Sequence, residues 1–167
     1  MKDLLSTVFA FCLTAITAFA HVDAIKPYFL DNLVEPYLTI QKGLAADDLK
    51  ATQTGAANFL IAMRFAPGED GAHHDAHELS EPATKIVDAD DLEAARRAFL
   101  VLTNDMLPLI THVGTTGKTP LYVAHCPMAF SNTGADWIQS DEAIANPYFG
   151  ASMFSCGAIK QQVAVSK

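Results

Sequence analysis

The stretch DDLEAARRAFLVLTNDMLPLITHVG, residues 90–114, decides the fold class. Its apolar side chains fall at Leu92, Ala95, Phe99, Leu102, Met106, Leu109 and Val113, a three-four spacing that gathers one stripe on one side of an α-helix. Asp88 or Asp90 is placed to cap the start and Gly114 to end it. Pro108 lacks a backbone donor, which predicts a kink near Asn104.

Two segments upstream carry the same period. One runs from about Pro27 to Gly43 through Phe29, Leu33, Tyr37, Ile40 and Leu44, with Pro36 either kinking or restarting it. The other starts at Asp47 or Asp48 and repeats at Leu49, Gln53, Ala56, Leu60 and Met63 until Pro67-Gly68 stops it. Residues 66–88 are polar and broken by Gly68, Gly71 and Pro82, which reads as a surface loop. After Gly114 the pattern changes. Thr115 to Lys118 form a turn, Leu121 to Ala124 are a β-prone run that delivers His125 and Cys126, and the remainder is turn-rich. A short helix over Asp141 to Ala145 and a closing strand over Ile159 to Val165 are expected there. The expected fold is mainly α: an up-down bundle of three or four helices with an irregular C-terminal cap, about residues 121–157, containing a short strand or hairpin.

The first twenty residues have a different character. Met1-Lys2-Asp3 precedes an apolar run from Leu4 to Ala20, and Ala18-Phe19-Ala20 supplies a small-x-small cleavage pattern, as in a secretory signal peptide. The run is shorter than the roughly 20 apolar residues that span a bilayer, so no membrane span is expected after cleavage. Cys12 follows Phe11 where a lipid-attachment box needs a small residue, and it would leave with the signal. Residues 21–167 are then one domain, periplasmic or secreted, in a compartment where disulfides persist. The net charge of −8 disfavours nucleic acid as a partner.

The chemistry lies in the cap. Cys126-Pro127-Met128 and Met153-x-x-Cys156-Gly157 each place two sulfurs within a turn of one another. Thiolates and thioethers select Cu(I) over hard cations, so Cys126, Met128, Met153 and Cys156 form a candidate Cu(I) set, with Ag(I) or Zn(II) as other occupants. Proline fixes a torsion between Cys126 and Met128, and a helical Met153–Cys156 segment would put its two sulfurs on one side. The same two cysteines would equally form a disulfide stapling the cap, worth about 3 kcal/mol. Met128 and Met153 also suit plain core filling.

Histidines supply additional candidates. His125 neighbours Cys126, but on a strand adjacent side chains face opposite ways, so sharing the site needs a bend. His73, His74 and His77 have the spacing to hold Cu(II) or Zn(II) on a helical turn, though a solvated loop is the plainer reading. His21, if freed as the N-terminus, would offer an amine and an imidazole to a divalent ion; a cut after Ala24 would remove it. His112 suits the C-terminal end of its helix.

Three strings in the cap, HCPMAF, GADWIQ and NPYFGASMFSCG, resemble a small domain of formally unknown function that occurs alone behind a signal peptide or appended to periplasmic adaptor subunits of copper and silver efflux pumps. The helical half resembles it only in general character. The resemblance implies a helical domain in heavy-metal handling, with the soft-ligand motif on Cys126, Met128, Met153 and Cys156, framed by Trp137 and the Asn146-Pro147-Tyr148 turn. It implies a metal ion as ligand and a periplasmic efflux or copper-transfer protein as partner. The chain carries no pump-adaptor module.

Enzyme signatures are absent from the sequence: no HExxH, no Gly-rich phosphate loop and no CxxC. A binding protein is therefore expected. The alternatives are a disulfide-stapled interaction module presenting Trp137, Tyr148, Phe149 and Phe154, and a copper-dependent redox enzyme built on His21.

Overall fold

Capping and apolar period place the first two helices where the sequence predicts them. In the computed structural model, which describes residues 26–65 and 72–165 and, within the second span, side chains from residue 78 onward, α1 is Pro27–Ala45 and α2 is Leu49–Met63. Proline at the first position of α1 gives up a donor that has no partner there anyway. Pro36 does not restart the helix, and Asn32, whose carbonyl would have taken the missing bond, faces solvent. Asp48 caps α2 by accepting from Ala51 N at 2.9 Å. The two helices approach closely because a Cβ on Gly43 would lie 2.6 Å from Thr52 Oγ1 and one on Gly55 would lie 2.8 Å from Ile40 N.

The polar stretch read as a loop is instead α3, Ala72–Val87. Leu79, Ala83 and Ile86 are its buried stripe, and Pro82 is buried within the helix. Packing of that stripe against α2 and α4 supplies what the local sequence lacks. Gln53 of α2 closes its end by donating to the carbonyls of Val87 and Ala89, both at 3.0 Å. α4, Leu92–Val113, follows the quoted stretch, but its cap is Asp91, which accepts from Ala94 N at 2.7 Å, rather than Asp88 or Asp90. Gly114 ends it at φ 80°. α1 packs on α2, α2 on α3 and α3 on α4, and α4 returns to α1. Phe29, Leu33, Tyr37, Phe59, Phe99 and Leu102 fill the space between them.

The C-terminal part is a three-stranded antiparallel sheet in the order β2-β1-β3, built from β1 (Tyr122–Cys126), β2 (Ala135–Gln139) and β3 (Ala158–Gln162). His125 stands opposite Asp136 in one register and opposite Ala158 in the other. The closing strand is thus present over a shorter range than expected, with Val165 making an isolated bridge to Thr115. Residues Asp141 to Ala145 form no helix. The Gln139 amide holds them by donating to the carbonyls of Asp141 and Ala143 and accepting from Ala145 N. β2 lies against α1 and α4, so the sheet rests on the helices. Among the described residues no helix is long and apolar enough to cross a membrane. The signal-peptide reading and His21 lie outside the described residues.

Candidate functional site

β1 delivers Cys126 into the core, where it is fully buried, and a turn thirty residues later brings Cys156 to it. The two Sγ atoms are 3.2 Å apart and both cysteines are free. Cys156 is half-buried at the surface side of the pair. The Cys126 thiol beside it, together with desolvation, pushes the Cys156 thiol above its ordinary range.

Asn146 builds the turn that carries Cys156. It is fully buried; its N–H donates to Phe154 O and its amide Nδ2 donates to Cys156 O, both at 2.8 Å, while its Oδ1 accepts from Tyr148 N. Gly157 follows with φ 134°, and a Cβ there would sit 2.8 Å from both His125 O and the Trp137 ring. Trp137 is fully buried and donates from Nε1 to Gln139 Oε1 at 2.8 Å. Tyr148 stacks edge-on to Trp137 and to Phe130, and its hydroxyl donates to Asp136 O at 2.5 Å.

The remaining sulfurs lie in adjoining turns. Met128 follows Pro127 into the one-turn segment Ala129–Asn132, in which Phe130, Ser131 and Asn132 take left-handed dihedrals, and its side chain is exposed. Met153 ends a single 3-10 turn, Gly150–Ser152, with φ −148°. Met153 and Cys156 are therefore joined by a turn, with Cys156 N donating to Met153 O at 3.0 Å, and not by the helix that would have aligned their sulfurs. Both methionines are half-buried or exposed, so neither is core filler.

His125 points away from the cysteines, as strand alternation requires. Its Nδ1 meets Asp136 Oδ1 at 2.6 Å, and Lys160 reaches Asp136 Oδ2 at 3.1 Å from β3. This His-Asp-Lys cluster is invisible in the sequence, because only the register sets His125 opposite Asp136, and Lys160, unpaired at the irregularity between β1 and β3, joins them through its side chain. The backbone of His73, His74 and His77 is in α3, and their side chains lie outside the described residues. Among the described residues no three His, Cys, Asp or Glu side chains gather as a metal-holding group. The donor set at the cysteine pair is sulfur only, which suits a soft ion.

The helical half holds this cap through four polar side chains, of which the sequence suggests only a helical stripe position for Tyr37 and a helix start for Asp47, and no role for Gln41 or Arg96. Tyr37 of α1 shares a hydrogen bond with Thr103 of α4 at 2.7 Å and accepts from Ile138 N of β2. Burial pushes its phenol well above the ordinary range. Gln41 donates to Ala145 O at 2.6 Å. Arg96 donates to Pro147 O, Leu44 O and Asp47, and Asp47 in turn accepts from Ala151 N at 2.9 Å. That backbone bond, with the Arg96 guanidinium, holds the Asp47 carboxyl below its usual pKa.

The interaction-patch alternative is corrected by burial. Trp137 and Tyr148 are core residues, and of the four named aromatics only Phe154 is largely exposed.

Neither the curated proteins nor the solved structures yield a match. A family model does match residues 33–118, which run from α1 through α4 and stop before β1, so the cysteine-bearing strings lie outside the matched span. With just over half its length matched, the chain belongs to the family described as "Protein of unknown function (DUF3347)".

Proposed function

We propose that this chain is an exported, periplasmic or secreted, soft-metal-binding protein that takes up Cu(I) through the Cys126 and Cys156 thiolates. The observation that carries this reading is the pair of free cysteines, one buried and one half-buried, held 3.2 Å apart on separate elements. With metal–sulfur bonds of about 2.3 Å, two thiolates on one ion stand about 3.8 Å apart at a tetrahedral angle and about 4.6 Å apart in a line, so the pair opens from 3.2 Å by side-chain rotation to take an ion. Met128 and Met153 are the thioethers nearest in sequence, and they complete a low-coordinate site by side-chain rotation. Ag(I) is the closest substitute, and Zn(II) is a poorer one because no third thiolate or imidazole joins the pair among the described residues. The four helices act as an up-down bundle that supports the cap. Buffering the ion, or passing it to a periplasmic efflux or copper-transfer protein by ligand exchange, is the role such a site serves, and no catalytic step is assigned.

The test is competition of the reduced protein with a chromogenic Cu(I) chelator, expected to remove about one equivalent per chain. Cys126→Ser is expected to abolish uptake and Met153→Leu to weaken it. Undiminished uptake by Cys126→Ser overturns the assignment.

A further inference from the structure

The two cysteines are unequal. Cys126 is 0% exposed on an inner strand of the sheet, while Cys156 is half-buried in the turn between Met153 and Gly157. A reagent from solvent therefore meets Cys156 first, and Cys126 lies directly behind it. Closing their 3.2 Å separation to a disulfide of about 2.05 Å needs a sulfur displacement of about 1.1 Å, within reach of side-chain rotation. The backbone on the Cys156 side is fixed by Asn146, which bonds both Phe154 O and Cys156 O, and by Gly157 against Trp137 and His125 O. A frame this constrained holds the sulfurs together without needing the bond between them.

We infer that the cap is a thiol–disulfide exchange element in which Cys156 attacks a low-molecular-weight disulfide and Cys126 resolves the product. In the first step the Cys156 thiol loses its proton and its sulfur bonds to one sulfur of the incoming disulfide. The oxidant's S–S bond breaks, and its other half leaves as a thiolate that takes up a proton. In the second step deprotonated Cys126 attacks Cys156 Sγ, the mixed disulfide breaks, and the second half leaves as a thiol. The chain gives up two protons and two electrons, and one disulfide is reduced to two thiols. The exchange rests on the geometry of the pair and not on its taking an ion. Where the pair does hold Cu(I), oxidation withdraws both thiolates and releases it.

Peptide mapping by mass spectrometry after treating the reduced full chain with glutathione disulfide reads each cysteine separately, Cys12 included. Wild type is expected to form the Cys126–Cys156 disulfide with no glutathione retained. Cys126→Ser is expected to keep one glutathionyl group on Cys156, and Cys156→Ser to be modified at Cys126 at least about tenfold more slowly. Limited alkylation of native wild type by iodoacetamide gives the same order without any substitution, with Cys156 labelled at least about tenfold faster than Cys126. Equal labelling of the two cysteines, or no intramolecular disulfide in wild type, overturns the proposal. Exchange without Cu(I) uptake sinks only the metal reading, and uptake without exchange sinks only this one.

Discussion

Arg96 on α4 and Asp47 in the α1–α2 turn, forty-nine residues apart, meet at 2.5 Å and together grip the cap. The guanidinium also reaches Pro147 O and Leu44 O, and the far carboxylate oxygen takes Ala151 N. One helical residue and one turn residue thus fix both ends of the Pro147–Ala151 loop that precedes the cysteine turn. The loop that leads into the cysteine turn is anchored on the helical half of the chain.

Replacing Arg96 by Ala removes all three of these donations from a side chain only 17% exposed, and leaves the Leu44 and Pro147 carbonyls without that donor. Urea denaturation is expected to show a loss of about 2 kcal/mol. A double-mutant cycle with Asp47→Ala is expected to give a coupling of about 1 kcal/mol, and strict additivity would count against the joint.

The carboxyl of Asp47 makes stability depend on acid. Its folded pKa lies below the ordinary 3.8, first through the Ala151 N–H and then through Arg96, so its contribution is complete above that ordinary value and fades as pH falls through the lower folded one. Asp47→Asn should flatten the acid limb of the stability curve below about pH 4. Because the carboxylate is more than a third exposed, the difference at neutral pH is expected to stay near 1 kcal/mol. An unchanged acid limb in the variant would remove Asp47 from this role.

Gly150 sits at φ 55°, and a Cβ there would come within 2.0 Å of Asp47 Oδ1 and 2.6 Å of Arg96 Nη2. Gly150→Ala must therefore break the joint as well as strain the backbone, and a loss of more than about 2 kcal/mol is expected. If the substitution proves neutral by thermal or chemical denaturation, the loop does not seat where the structure puts it.

Tyr37→Phe keeps the ring against Phe99, 5.1 Å between centroids, and deletes only the hydroxyl. Thr103 Oγ1 and Ile138 N then lose a buried partner, at an expected cost of about 1–2 kcal/mol. Hydrogen exchange at the Ile138 amide should rise in the same variant. No change at that amide would mean that β2 does not depend on α1.

Much of the helical half was legible because its stripes are local. Leu92 to Val113 repeat at helical spacing within one segment, and Asp48 and Gly114 mark boundaries through short-range backbone chemistry. α3 was not legible, since its stripe of Leu79, Ala83 and Ile86 is short, carries Pro82, and follows a run of polar residues. Its order comes from α2 and α4. β2 escaped for the opposite reason: Ala135, Trp137, Ile138 and Gln139 are all buried, so no polar-apolar alternation announces the strand.

By itself the sequence determined the helical class, the two sulfur motifs and the opposite facing of His125 and Cys126, because period and strand alternation act over a few residues. The tertiary structure alone decided that Cys126 and Cys156 stand 3.2 Å apart, that Trp137 and Tyr148 are core, and that Arg96 and Asp47 anchor the cap. These depend on strand register and on contacts thirty to fifty residues apart, for which no local period exists.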